Sequence, residues 1–442
     1  MFTIFKSARD YNVIANSSYI LFSKLLRALI GFLLVPIMLK SLDRTEYGVW
    51  LIIFSLFNWI SLFDLGVANG LRIRLIEAVS DGDFLKARKL VSTSYIVLGG
   101  FLLTLIIFFL ILNTYVNWYT LLNAPQSIKD LNSTIFFCGV FLLLNFWTST
   151  INQIFIASNN ISFVDMLLLF SDLIVFVFIF ILHSYFTNIS LYLTGIVFTV
   201  IPFIVSITSN FYFFSKRYQY LSPSFMFFDS SLISEILEIG IKFFIIQFCG
   251  LVLFQSQNLY LSHKINPESV AIFQTAYKYY SLSFLALNVL TLPYYPIITA
   301  KFKNRELDDI VSIFKVLMFI WLFIVVLLFA LLISAPYIFP LWLGNAINIP
   351  FYLSVSIVIW LCFHILCTIL FGVLFSIGKI SLQTIIAILA LPFTYLLISM
   401  SPNNLNVSTI PNVNAIYLFI NSIIMFYQLR NLQCTQKLKV AE

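Results

Sequence analysis

The sequence predicts an all-α, polytopic membrane protein of about twelve transmembrane helices, arranged as two pseudo-symmetric six-helix lobes around a central cavity. Three observations carry that expectation. Of 442 residues, 61% are hydrophobic and only 10% are charged, more apolar surface than a soluble domain of ordinary composition hides. The apolar residues come in runs of about 20, the length a helix needs to cross a hydrocarbon core of roughly 30 Å. The chain also resembles itself faintly at half its length. Because the runs are continuous and not alternating, a transmembrane barrel is excluded.

Taken in order, the runs fall at residues 14–39, 47–68, 91–112, 133–157, 162–183, 190–214, 236–262, 269–298, 312–334, 350–376, 380–400 and 411–429. The first holds Lys24 and Arg27 without a cleavage signal, and so reads as a retained span instead of a signal peptide. An even count brings both termini to one side. The segments on that side hold 16 Lys and Arg, from Lys6 and Arg9 to Lys437 and Lys439, and the opposite segments only Lys40, Arg44, Lys129 and Lys264. Cytoplasmic loops are the basic ones, so both termini are expected in the cytoplasm. The net charge of +7 is thus spread through short loops, a topology signal and no nucleic-acid groove. Five cysteines form no CxxC pair and three histidines lie far apart, so neither metal nor cofactor is expected. No loop has room for a catalytic domain, and the work is expected inside the bundle, with no enzyme activity.

Slid by 222 residues, "LKSLDRTEYGVW" (Leu39–Trp50) falls on "LSHKINPESVAI" (Leu261–Ile272), and "IEAVSDGDFLK" (Ile76–Lys86) on "ITAKFKNRELD" (Ile298–Asp308). Two loops sharing one offset suggest lobes of residues 1–220 and 221–442 in parallel orientation, a pattern found in alternating-access carriers. Two unrelated halves that happen to balance remain the alternative.

Polar groups within the spans mark candidate sites, since a charge at a helix centre costs roughly 2.5–3.5 kcal/mol on insertion scales. Lys24 and Arg27 share a face of the first span at i, i+3 and read either as cavity cations or as snorkelling side chains. Lys278 sits mid-span with Gln274, Tyr277 and Ser281 on one face. Further polar stripes run through Asn145, Thr148, Asn152 and Gln153, and through Gln247, Gln255 and Asn258. Interhelical hydrogen bonding explains such stripes as readily as a cavity lining does. Asp165 and Asp172 share a face of the fifth span, Asp172 the deeper. An excess of cations in a low-dielectric wall attracts phosphate, which Arg binds bidentately.

One acid, Asp64, closes the second span in "SLFDLGVANGLRIRL" (Ser61–Leu75), where Gly66–Gly70 lets the helix loosen before Arg72 and Arg74. Two readings stand. In one, Asp64 pairs with Arg72 or Arg74 to fix helix end to loop. In the other the pair is a gate opened by protonation or by a phosphate.

The stretch "LDRTEYGVWLIIFSLFNWISLFDLGVANGLRIRLIEAVSDGDFLKARKLVSTSY", with its E-Y-G-x-W, D-L-G-x-x-N-G-L-R and D-x-x-x-A-R-K segments, resembles the N-terminal region of Wzx-type O-antigen and polysaccharide flippases. These belong to the multidrug/oligosaccharidyl-lipid/polysaccharide exporter superfamily. The resemblance covers about an eighth of the chain. It implies movement of an undecaprenyl-diphosphate-linked oligosaccharide from the cytoplasmic to the periplasmic leaflet of a bacterial inner membrane by ion-coupled alternating access, with proton or sodium as the coupling ion. It implies a cationic cavity in which Lys24, Arg27 or Lys278 meets the diphosphate; Asp64, Arg72, Arg74 and Asp172 are, from the residues themselves, the candidates for gate or ion coupling. The polymerase and chain-length regulator of the same pathway are the implied partners, beside the lipid bilayer. The competing readings are a membrane enzyme of that pathway, either polymerase or glycosyltransferase, and a drug antiporter or lipid II flippase of the same superfamily.

Overall fold

In the computed structural model residues 13–58, 67–158, 160–186, 188–236, 248, 257–344, 346–379, 381–399 and 406–441 are described. Among them the regular structure is helical throughout, as a chain in lipid requires when every backbone N–H and C=O must be satisfied internally. Contacts divide the chain into two compact units, residues 1–251 with 258–268, and residues 252–257 with 269–442.

The first unit runs α1 (Val13–Ser41), α2 (Arg44–Asn58), α3 (Val67–Ser80), α4 (Phe84–Tyr115), α5 (Trp118–Leu122), α6 (Leu131–Thr148), α7 (Ile151–Ala157), α8 (Ile161–Tyr185) and α9 (Leu191–Lys216). The second contains nearly all of α10 (Pro267–Tyr280), then α11 (Leu282–Thr291), α12 (Tyr294–Lys303), α13 (Leu307–Leu343), α14 (Phe351–Ser376), α15 (Ser381–Ser399) and α16 (Thr409–Ala441). Among the described residues eight helices are long and apolar enough to cross a membrane, or nine if the bent series from Pro267 to Phe302 is one span. The runs expected at 47–68 and 236–262 extend into undescribed residues. The run at 380–400 corresponds to α15, 19 residues long, with undescribed residues at both of its ends.

Two expected spans are broken, and local side chains explain the breaks. The run 133–157 divides into α6 and α7 at Ser149 and Thr150, where the Ser149 hydroxyl donates to the Phe146 carbonyl at 2.7 Å and competes with the helical ladder. The carbonyl of Thr148, freed there, accepts from Asn210 Nδ2 at 2.7 Å, and Asn210 Oδ1 accepts from the Tyr95 hydroxyl at 2.7 Å. The run 269–298 breaks at Ser281, whose hydroxyl donates to the Lys278 carbonyl at 2.8 Å. It bends by 44° before Tyr294, next to Pro293, a residue with no N–H for the ladder.

Each unit carries the same helix–helix corner, and the corners correct the sequence register. In the first, Asp83 N–H donates to Ala78 C=O and Gly82 N–H to Val79 C=O, a Schellman closure with Gly82 at φ +75°. In the second, Glu306 N–H donates to Lys301 C=O and Arg305 N–H to Phe302 C=O, with Arg305 at φ +62°. These pairs are 223 residues apart, as are the helix starts Arg44 and Pro267, and Phe84 and Leu307. The internal match therefore has an offset of 223 at both loops, one residue more than the sparse identities indicated. Backbone geometry sets it, and identities this thin do not.

The polar end of the first unit is packed by Leu71, Leu75, Leu90, Ile154, Phe155 and Phe213, all buried, where α3, α4, α7 and α9 converge. The described part of the Gly66–Gly70 stretch does not loosen into a loop. Residues from Val67 onward are helical, and Arg72 and Arg74 project from α3. Gly70 has a different use from the one expected: a Cβ there would lie 2.1 Å from the Ile236 carbonyl oxygen, so only glycine admits that backbone.

Candidate functional site: an ion-pair ladder within the spans

α1 and α8 pack in parallel within the first unit, and their polar residues meet at nearly one register. Arg27 Nε donates to Asp172 Oδ2 at 2.6 Å. One turn before Arg27, Lys24 lies in electrostatic reach of Asp165, which is only 9% exposed and also feels Arg27. Near the far end of both helices Ser41 Oγ and His183 Nδ1 are 2.8 Å apart. Sequence singled out Lys24, Arg27 and Asp172 one helix at a time. The structure brings them together, because helix spacing on α1 (i, i+3) and on α8 (i, i+7) turns both sets toward one seam.

The consequence is electrostatic. Sequence led to an expectation of excess cations, whereas here two cations face two carboxylates. In a span, an ion pair offsets the cost of desolvating each charge only if both partners stay, and removing one strands the other. Arg27 and Asp172 are each about a third exposed at the side chain, 32% and 37%.

The other expected residues are placed as follows. Asn145 on α6 and Asn152 on α7 lie half-buried on either side of the break at 149–150. On α10, Gln274, Tyr277 and Lys278 are half-buried, and Ser281 forms the break that follows. Tyr277 is committed to an aromatic column: its ring stacks on Trp360 at 5.2 Å and on Phe273 at 6.2 Å, and Trp360 continues onto His364 at 6.0 Å. Asp64, Gln247 and Gln255 lie outside the described residues.

Arg74 contacts Glu77 Oε2 at 2.9 Å and Glu235 Oε1 at 3.4 Å. Glu235 also takes Lys86 Nζ at 3.2 Å, and Asp229 takes Lys89 Nζ at 3.0 Å. The Arg88 guanidinium lies 4.1 Å over the Phe227 ring and donates to the Ser222 carbonyl. Residues 222–235 are thereby strapped to the α3–α4 corner. The Ser231 hydroxyl, then Lys89, hold the Asp229 carboxyl below its usual range. Sequence reasoning missed Asp229 and Glu235 as partners. Each is an isolated acid some 140 residues from its cation, and nothing local in the sequence marks it.

A family profile described as polysaccharide biosynthesis protein matches residues 13–302. No curated protein sequence matches the chain. An inward-facing structure of a multidrug resistance MATE family transporter of the MOP superfamily aligns with a TM-score of 0.75 at 14% identity, over 93% of this chain and 95% of that one. An outward-facing structure of such a transporter aligns at 0.67 and 13% identity, over 96% of each chain. A MATE in complex with MaD3S aligns at 0.67 and 14%, again over 96% of each. At these identities the likeness is one of fold.

Proposed function

The chain belongs to the polysaccharide biosynthesis protein family, and on that premise we propose that it is a flippase. In this reading it carries an undecaprenyl-diphosphate-linked oligosaccharide, an O-antigen or related repeat unit, to the periplasmic leaflet of a bacterial inner membrane by alternating access. Both termini are cytoplasmic, and the polymerase and chain-length regulator of the pathway receive the product. The family match supports polysaccharide work. The multidrug designation comes only from structures 13–14% identical, whose likeness is to the fold.

The observation that carries the mechanism is the Arg27–Asp172 pair inside the spans. A diphosphate offers more negative charge and a better fit to a guanidinium than one carboxylate does. Substrate binding thus transfers Arg27 from Asp172 to the diphosphate, and a proton on Asp172 keeps the vacated carboxyl neutral. That exchange makes the proton the coupling ion and gives Arg27 two alternating partners. Lys278, on a half-buried polar face of α10, is the second cation assigned to the diphosphate.

Deletion of the gene is expected to abolish surface glycan. Glycan that still arrives but as short polymer would overturn the flippase reading in favour of a polymerase. In complementation, Arg27→Ala should restore less than a tenth of wild-type export at normal abundance. Asp172→Asn should leave export measurable but no longer dependent on the proton gradient. Full export by Arg27→Ala removes Arg27 from the mechanism.

A further inference from the structure

Between α8 and α9, on the surface of the first unit, lies a groove of about 700 Å³, within the range of ligand sites. Its walls are apolar, from Phe163, Leu167 and Phe170 on α8 and Val205 and Phe213 on α9, and Lys216 and Arg217 stand at one end. Two further observations distinguish it from an ordinary seam between spans.

The first is charge. Elsewhere at this end of the unit several cations are held by acids or a carbonyl: Arg74 and Lys86 by Glu235, Lys89 by Asp229, Arg88 by the Ser222 carbonyl. Among the described residues no carboxylate pairs with Lys216 or Arg217, and the Arg217 guanidinium lies 5.8 Å from the Tyr218 ring. The second is an orphan. Ser209 also lines the groove, is 7% exposed, and its hydroxyl has no hydrogen-bond partner. Its neighbour Thr208 shows the usual solution, donating back to the Ile204 carbonyl at 2.7 Å. A buried unpaired hydroxyl costs free energy unless something supplies a partner.

We propose that this groove binds an anionic glycerophospholipid of the surrounding leaflet, with the phosphate on Lys216 and Arg217 and the acyl chains along the phenylalanine wall. Ser209 selects this occupant. It lies seven residues before Lys216, about 10 Å along the helix at 1.5 Å per residue, a gap that shortens when the lysine side chain leans back toward the helix N-terminus, as helical side chains do. At that depth a diacyl lipid presents ester carbonyls able to accept the Ser209 hydroxyl. A polyprenyl diphosphate presents bare hydrocarbon below its head and leaves the hydroxyl orphaned. The site is therefore separate from the carrier lipid of the transported substrate, and it stands whatever that substrate is.

Native mass spectrometry of the purified full chain, with phosphatidylglycerol, phosphatidylcholine or undecaprenyl diphosphate added singly, tests the assignment. Phosphatidylglycerol should be retained in preference to phosphatidylcholine. Lys216→Gln/Arg217→Gln should weaken its retention about thirty-fold, the size of two membrane-surface cation contacts. Ser209→Ala, a change too small to disturb packing, should weaken it several-fold without altering the melting temperature of the lipid-free protein. Unchanged retention in either variant overturns the proposal. So does equal retention of phosphatidylcholine, which marks an ordinary boundary lipid. Undecaprenyl diphosphate held more tightly and lost in the same variants would reassign the groove to the carrier lipid. Carrier lipid bound equally by wild type and both variants leaves the proposal intact and puts that lipid elsewhere. No binding of it at all would count against the flippase reading alone.

Discussion

The α3–α4 corner of the first unit and the α12–α13 corner of the second share one backbone and do different work. Both close with the same two hydrogen bonds and a left-handed residue. In the first, the entering Asp83 caps α4 by accepting from Lys86 N–H at 2.8 Å, which leaves Arg74, Lys86 and Lys89 to reach the acids of residues 222–235. In the second, Glu306 occupies the equivalent position but makes no side-chain cap, and its carboxylate instead binds Lys301, which Asp309 also holds at 2.6 Å. One corner spends its charges outward on the segment that follows the sixth span. The other closes on itself. The two corners share a backbone, where a Schellman turn tolerates many side chains, and differ in their ion pairs.

The comparison is broken most severely by releasing the strap. Asp229→Ala/Glu235→Ala takes acids from Arg74, Lys86 and Lys89 at once, leaving only Arg74 with a second carboxylate, Glu77, and should lower the melting temperature the most. Limited proteolysis should then cut within residues 222–235. Lys301→Met, which removes the equivalent pairs in the second unit, should lower the melting temperature by less and expose no new cleavage site. Equal losses in the two would show that the corners are equivalent after all.

The turn residues sharpen the contrast by opposite signs. Gly82→Val forces a β-branched side chain into φ +75° and should destabilise by about 1–2 kcal/mol. Arg305→Gly relieves the same conformation at φ +62° and should stabilise by up to about 1 kcal/mol. Thermal melts in one detergent read both.

The smallest effect is in pH. Because Asp229 is held below its ordinary value, its share of stability is complete above the unfolded carboxyl pKa of about 3.9. That share is lost as pH falls through the depressed folded value. Protease sensitivity of residues 222–235 should rise only below about pH 4, and Asp229→Asn should abolish that rise.

Much of this was legible in the sequence, for identifiable reasons. Continuous apolar runs announced the helices because lipid leaves a backbone few alternatives. Lys24, Arg27 and Asp172 stood out because charge inside a span is costly. Their pairing was not legible, since it depends on α8 docking parallel to α1 in one register, which no local pattern encodes. Gly70 looked like a flexible point and is a point of close backbone approach to Ile236, a distinction that only the neighbour's position makes. The one-residue error in the repeat offset has the same origin. Gly82 and Arg305 share a conformation without sharing a residue type.

The Arg27–Asp172 pair has an electrical consequence as well. While the two groups face each other the pair is neutral, and a transmembrane voltage does no work on it. In the flippase reading proposed above, a proton carried on the carboxyl would leave a single positive charge there, and each charge carried across the membrane is worth about 2.3 kcal/mol per 100 mV. In that reading, the step that loads the proton also connects the first unit to the membrane potential.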